Sequence, residues 1–376
     1  WANNEESGPL AMSPSVTFSS SLQHLSLSHF MFEDEGMLRL SQSLVNCSQL
    51  KHLELVNQGM HDTGAQLVAG LLLRNQGLTH CDLGGNFIGH AGMEQLSRSF
   101  RCLRDLTELS LHGNYIGDVG AEHLSRGLVS CSQLQLLDLA YCEIGDSGIA
   151  SLSETLAKCL RISELQLDCN DFKEEGLHIL AESLRHSASL RHLSLASIEM
   201  RDSGVGKLAD CLRSVPGLMN LNLTNTSIGD KGATSLARQM TNFTSLTELR
   251  LMRQELPTFF RSEGDQGKGF GDLGATSLAE SLPRCSSLTR LHLGGHRIRD
   301  GGARALARVL PQCKSIRSLN LSYNQLDIDA AASFAEAMPV CSSLTFLSLR
   351  GNPMPSKSAS FFAGSLERVE LSLSRR

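Results

Sequence analysis

The chain carries a 28-residue ruler, and little else about it is free to vary. The stretch Leu106–Gln133, LTELSLHGNYIGDVGAEHLSRGLVSCSQ, is one interval. Repeats open at Leu22, Leu50, Leu78, Leu106, Leu134, Ile162, Leu190, Leu218 and Leu246, then at Leu288, Ile316 and Leu344. Each step is 28 residues except the one from Leu246 to Leu288, which is 42, so the ninth repeat carries 14 extra residues. The sixth position is Leu in all twelve repeats, and the fourth is Leu in all but one, where Cys81 stands. Such a period marks a stacked array rather than a set of globular domains.

Positions one, four and six read as a short apolar strand. The four-spaced Leu124 and Leu128 read as one face of a helix. Neither surface closes alone, and stacking closes both. The strands are then expected to run parallel, about 4.8 Å apart, with right-handed crossovers through the helices. Helices are wider than strands, so an α/β solenoid is expected to curve into a horseshoe, its parallel sheet on the concave face and its helices on the convex face. Asn at position nine (Asn86, Asn114, Asn170, Asn324, Asn352) is placed to satisfy backbone groups where the strand ends. Asp at position thirteen (Asp34, Asp62, Asp118, Asp146, Asp202, Asp230, Asp300) reads as the N-cap of the helix it opens. Gly at position fifteen in ten repeats implies close packing there.

Three segments follow. Residues 1–21 form an irregular lead-in outside the period. Residues 22–365 form the array, with the added stretch near 257–270, PTFFRSEGDQGKGF, expected as an exposed loop. Residues 366–376 carry the alternation Val369, Leu371, Leu373 of a C-terminal edge strand.

Composition narrows function. Net charge is −5, with no basic block, which gives no nucleic-acid footprint. No apolar run reaches the ~20 residues of a membrane span. The eleven cysteines contain no CxxC pair, and six share position twenty-six with Leu103, Val215 and Phe243. That slot reads as apolar, with reduced thiols in an intracellular protein. Gly264–Gly269 lacks the spacing of a phosphate loop. His24, His52 and His80 share position three and should stack as a solvated column. No catalytic, metal or cofactor constellation stands out, so no enzyme activity, cofactor or metal is expected.

The pattern LxxLxLxxNxIxDxGxxxLxxxLxxC resembles the ribonuclease-inhibitor class of leucine-rich repeats, and within it the arrays of NOD-like receptors. Uniform 28-residue steps with Cys near the helix end are similar to those of the class I histocompatibility transactivator type. Ribonuclease inhibitors alternate two repeat lengths and are richer in Cys, so the resemblance to them is looser. The resemblance implies a protein-recognition module of an innate immune receptor, cytoplasmic or also nuclear, with an upstream nucleotide-binding domain outside this sequence. The alternative it implies is a stand-alone inhibitor of a basic enzyme.

Charge points to where a protein partner would sit. Positions two, three, five, seven and eight flank the buried leucines and are expected to face outward. In repeats one to six they hold Glu54, Asp82, Glu108, Asp138, Glu164 and Asp168 against Lys51. In repeats seven to twelve they hold Arg191, Arg250, Arg253, Arg290, Arg317 and Arg350 against Glu248. The expected partner-binding residues are therefore Glu54, Asp82 and Asp138 on one side and Arg250, Arg253, Arg290 and Arg317 on the other. Phe259 and Phe260 are expected as an aromatic anchor beside the arginines, and reversing Arg250 and Arg253 is expected to leave stability unchanged.

Overall fold

The structure, a computed structural model, describes residues 18–185, 187–253, 269–362 and 370–372. It divides into an N-terminal block, residues 1–183, and a C-terminal block, residues 184–376. Both are α/β solenoids of the leucine-rich type.

In the N-terminal block the strands β1 (His24–Ser28), β2 (His52–Val56), β3 (His80–Asp82), β4 (Glu108–Ser110), β5 (Leu136–Asp138) and β6 (Glu164–Gln166) each pair in parallel with the next. Helices α1 (Glu33–Ser43), α2 (Asp62–Arg74), α3 (His90–Phe100), α4 (Gly117–Leu128), α5 (Asp146–Leu156) and α6 (Glu174–Leu184) alternate with them. In the C-terminal block β7 (His192–Ser194), β8 (Asn220–Asn222), β9 (Glu248–Arg250), β10 (Arg290–His292), β11 (Ser318–Asn320), β12 (Phe346–Ser348) and β13 (Glu370–Ser372) pair in the same way. Their crossovers are α7 (Arg201–Leu212), α8 (Asp230–Met240), α9 (Asp272–Ser281), α10 (Asp300–Val309) and α11 (Ile328–Ala337).

The register advances 28 residues per strand, except 42 from β9 to β10 and 24 from β12 to β13, and it runs the leucines of positions four and six into continuous buried rows. Leu53, Leu109, Leu111, Leu137 and Leu165 are fully buried, as are Leu249, Leu291, Leu319 and Leu347. Cys81 fills the one gap in the fourth-position row, also buried. Position three pairs with position three, so Glu108 lies beside His80 and Leu136. β13 extends the ladder by setting Leu371 against Leu347. The rest of the expected edge strand, and residues 1–17 of the lead-in, lie outside the described residues.

Two polar devices weld neighbouring repeats together. The Asn of position nine reaches back one repeat. Asn86 accepts from the Gln58 and Met60 N–H groups and donates to the Leu55 and Leu83 carbonyls, all at 2.8–3.2 Å. Asn170 does the same with Cys142, Ile144, Leu139 and Leu167. Other residues in the slot keep part of this role: Gln58 donates to the Leu27 carbonyl and Thr226 to the Leu223 carbonyl.

The Asp of position thirteen differs from expectation. It opens its own helix but caps the next one. Asp118 Oδ1 accepts from Gly145 N–H at 2.7 Å and Gly148 N–H at 2.9 Å, one repeat onward. Asp34, Asp146, Asp202, Asp230, Asp272 and Asp300 repeat the pattern. The helix register sets the first free N–H groups of one repeat against the carboxylate of the previous one, where the positive end of the helix favours an anion. This also explains the Gly of position fifteen: a Cβ on Gly148 would lie 2.6 Å from Asp118 Oδ1.

Of the expected added stretch, Phe270 is described and belongs to the core. It is fully buried, and its carbonyl accepts from Arg297 N–H as Met60 accepts from Phe87 and Ile298 from Gln325. Phe270 therefore occupies position eleven, the place of Ile88 and Ile116. Residues 254–268, with Phe259, Phe260 and most of the glycine-rich loop, lie outside the described residues.

The cysteines behave as small apolar side chains. Cys47, Cys131, Cys285, Cys313 and Cys341 are buried, while Cys159 in the same slot is half-buried. Burial pushes the thiols of Cys131 and Cys313 up to about 12 and Cys285 up to about 11. Among the described residues no helix is long and apolar enough to cross a membrane.

Candidate functional site on the sheet faces

Because positions four and six point into the core, positions three, five and seven emerge on the opposite side of each strand. Every repeat thus adds one short row to a sheet face, and the ladder turns those rows into columns.

In the N-terminal block, position three starts with His24, His52 and His80, whose rings follow one another at 5.9 and 5.2 Å. His52 Nε2 lies 2.8 Å from Glu54 Oε1, and His80 Nε2 lies 3.0 Å from Glu108 Oε1. The Ser26 hydroxyl donates to Glu54 Oε2. That hydrogen bond, with help from His52, holds the Glu54 carboxyl below its ordinary value. Asp82 accepts from Gly84 N–H at 2.9 Å, and Asp138 from Ala140 N–H at 3.0 Å. Burial pushes the Asp138 carboxyl up, and the negative charges of Asp82 and Asp168 add to the shift. His112 Nδ1, 3.8 Å away, is its nearest cationic candidate. These acids thus lean on histidines, hydroxyls and backbone N–H groups, and no Lys or Arg ion pair to Glu54, Asp82 or Asp138 is found among the described residues.

The C-terminal block treats charge differently. Glu248, expected as an exposed exception among arginines, is buried on the sheet. Arg250 Nε donates to its Oε1 at 2.6 Å, and Arg290 Nε and Nη2 donate to its Oε2 at 3.0 and 2.8 Å. His292 Nε2 stands 3.2 Å from Oε1. Burial alone would raise the Glu248 carboxyl, but the hydrogen bonds from the two arginines win and leave it lowered. Burial also lowers His292, against the pull of Glu248. Arg250 and Arg290 are half-exposed, each with one edge spent on Glu248. The expectation that Arg250 can be reversed without cost is corrected: a Glu there would face a buried carboxylate. Arg253, at the end of the same repeat's strand, is half-buried and not free, and Arg317 is exposed, with Nη1 3.3 Å from the Ser343 carbonyl.

His296 stands in the Asn slot of position nine. Its Nε2 donates to the Leu251 carbonyl, the bond that an Asn makes elsewhere, and its ring stacks on Phe270 with centroids 3.8 Å apart. Nδ1 is buried without a partner among the described residues. Burial lowers this imidazole to about 4, so it stands neutral at pH 7.

Sequence reasoning missed the turn after each strand. Position eight adopts a left-handed conformation at His29, Asn57, Gly85, Gly113, Tyr141, Cys169, Ser197, Asn225, Gly295, Tyr323 and Gly351. Only Gly and, less readily, Asn take this conformation without strain. The column of four Gly and two Asn was the available signal. The large side chains held there, Tyr141 and Tyr323, are exposed.

Five segments, residues 102–125, 130–153, 218–237, 284–307 and 312–335, match the Leucine Rich repeat family model, together about a third of the chain. No curated protein matches the chain. Among solved structures, the chain is similar to that of the Rad7 and Elc1 complex in yeast, at 15% identity over 90% of this chain and 83% of that one, with a TM-score of 0.45. It is similar to an internalin (inlF) from Listeria monocytogenes at 20% identity, over 82% and 89%, with a TM-score of 0.43. A third similarity, to actin-binding site 2 of Leiomodin-1, covers 37% of this chain and 78% of that one at 19% identity and a TM-score of 0.31. With these three TM-scores below 0.5, the fold assignment rests on the repeat itself: matched segments, 28-residue ladder, and alternating parallel strands and helices make this an α/β array of leucine-rich repeats.

Proposed function

We propose that this chain is a protein-recognition module that binds through its sheet faces, and that it serves as the sensing or regulatory array of a NOD-like receptor, cytoplasmic or also nuclear. The observation that carries the binding reading is the split on each strand. Positions four and six are spent on the core, while position five sets Glu54, Asp82 and Asp138, half-exposed, in one column on the opposite side of the strands. A column of acids with no Lys or Arg ion pair among the described residues suits a basic patch on a partner. The receptor reading draws on the uniform 28-residue step and the Cys-bearing helix ends.

The acid column also favours a second reading, a stand-alone inhibitor that binds a basic enzyme. The full-length transcript separates the two. An upstream nucleotide-binding domain in the same reading frame supports the receptor, and a reading frame confined to the array overturns it. Binding itself is tested by affinity capture with wild type, with Asp82→Asn/Asp138→Asn on the sheet face, and with Glu94→Gln/Glu122→Gln on the helix face. Partners lost only with the sheet-face variant support the reading. Partners lost only with the helix-face variant overturn it.

A further inference from the structure

The N-terminal block exposes an aromatic ridge beside its acid column. The ridge runs along the turns that follow β1 to β5. Phe30 is 43% exposed and Met31 53%, and Met31 lies against Gly59 of the next repeat. His61 follows, stacked on Phe87 with centroids 5.0 Å apart. Phe87, 39% exposed, stacks on Tyr115, 55% exposed, at 6.0 Å and an interplanar angle of 13°. One repeat on, Tyr141, 62% exposed, stands two positions earlier in its turn, at position eight, its hydroxyl hydrogen-bonded with the Cys169 thiol. Across the parallel ladder the ridge spans about 20 Å.

The other large apolar side chains exposed in this block, such as Leu38, Val119, Val129 and Leu160, stand on or just after the helices. A contiguous apolar strip rimmed by charge marks an interaction surface, whereas scattered single residues do not. At position ten, where the N-terminal block has Met31, Phe87 and Tyr115, the C-terminal block carries Glu199, Ser227, Gly269, Arg297, Gln325 and Pro353; Tyr141 at position eight has a counterpart in Tyr323.

Charge selects the occupant. From position three to position ten, the first six repeats hold eight Asp or Glu and no Lys or Arg. Asp82 and Asp138 close β3 and β5, five and three residues before Phe87 and Tyr141 in the turns that follow. Two of the acids, Glu143 and Asp171, extend the Phe87–Tyr115 column itself.

We propose that the rim of the N-terminal block, Phe30, Met31, Phe87, Tyr115 and Tyr141 beside Asp82 and Asp138, docks a basic amphipathic segment of a partner protein. Its apolar side chains lie on the ridge and its Lys or Arg side chains reach the acid column. This deepens the sheet-face reading and rests on it. A helix of about fourteen residues matches the length of the ridge.

The probe is a synthetic Leu/Lys amphipathic helix of that length, titrated against the full chain by calorimetry at low and high salt. Two comparison peptides replace every Lys by Glu or every Leu by Ser. Expected is binding of the Leu/Lys peptide alone, weakened about ten-fold or more by Phe87→Ser/Tyr115→Ser. Asp82→Asn/Asp138→Asn should weaken it too and flatten its salt dependence. Val119→Ser/Val129→Ser on the helix face should leave it unchanged. Where the ridge double variant melts early, Tyr141→Ser alone carries the same test. Equal binding by the ridge variant, by the Leu/Glu peptide or by the Leu/Ser peptide overturns the proposal. So does self-association in sedimentation, or binding to phosphatidylserine vesicles, that the ridge variant abolishes, because a second copy or a membrane would then be the occupant. Captured partners lost with Asp82→Asn/Asp138→Asn but kept with Phe87→Ser/Tyr115→Ser remove the ridge and leave the sheet-face reading intact.

Discussion

Asp138 and Glu248 sit on the same kind of strand, in the same kind of ladder, and the chain does opposite things with them. In the N-terminal block Asp138 is crowded by the negative charges of Asp82 and Asp168. Its supports are a backbone N–H and a distant His112. In the C-terminal block Glu248 is buried between Arg250 and Arg290. The first arrangement leaves negative field facing outward, and the second consumes charge internally. A sheet position is therefore not a binding position merely because it is polar. What counts is whether the charge has already been met within the fold.

The comparison can be broken most forcefully through pH. His296 is depressed to about 4 in the folded chain against an ordinary value of 6.5. The unfolded chain takes up this proton first, so the stability held by the neutral imidazole is complete above pH 6.5 and is lost as pH falls towards 4. The full effect is about 3 kcal/mol. Melting curves from pH 7 to pH 4 should show the C-terminal block failing early, and His296→Asn, which restores the residue of the other repeats, should blunt that loss. An equally acid-sensitive Asn variant would contradict this role.

Glu248→Ala is the next largest effect. It leaves two guanidinium groups and His292 facing one another. Losing one partner of a fully buried pair costs about 3–5 kcal/mol, and the half-exposed arginines regain water, so about 2–3 kcal/mol is expected in urea melts. Asp118→Ala and Asp202→Ala come third. Each removes one cross-repeat cap and should cost about 1–2 kcal/mol, equally in the two blocks, because the scaffold is shared even where the faces differ. Smallest is Asp82→Asn/Asp138→Asn, expected within about 0.5 kcal/mol of wild type, since its charges repel each other and hold no ion pair with Lys or Arg among the described residues. A large loss of stability there would mean the acid column is structural.

These contrasts mark how far the sequence could be read. The period, the buried rows of positions four and six, and the close packing at position fifteen were legible because each repeats along the chain itself. The Asp of position thirteen was legible as a cap but not for which helix, because its partner lies one repeat onward and only the ladder brings them together. Glu248 was misread as exposed for the same reason: its partners Arg250 and Arg290 lie on its own and the neighbouring strand, 2 and 42 residues away. Phe270 was placed in the added stretch because an insertion hides where the ruler resumes. Phe259 and Phe260, the aromatic anchor expected from the sequence, lie outside the described residues, and Phe87, Tyr115 and Tyr141 were not legible as a group. They are unremarked single residues in their own repeats and become a ridge only when the repeats stack.

The most direct test of a binding face carried by the N-terminal sheet is hydrogen exchange on the chain with and without a captured partner. Expected is slowed exchange at the strand ends and turns of residues 80–87, 108–115 and 136–143, with α3 and α4 unchanged. Slowed exchange confined to α3 and α4, with those turns unaffected, would contradict it.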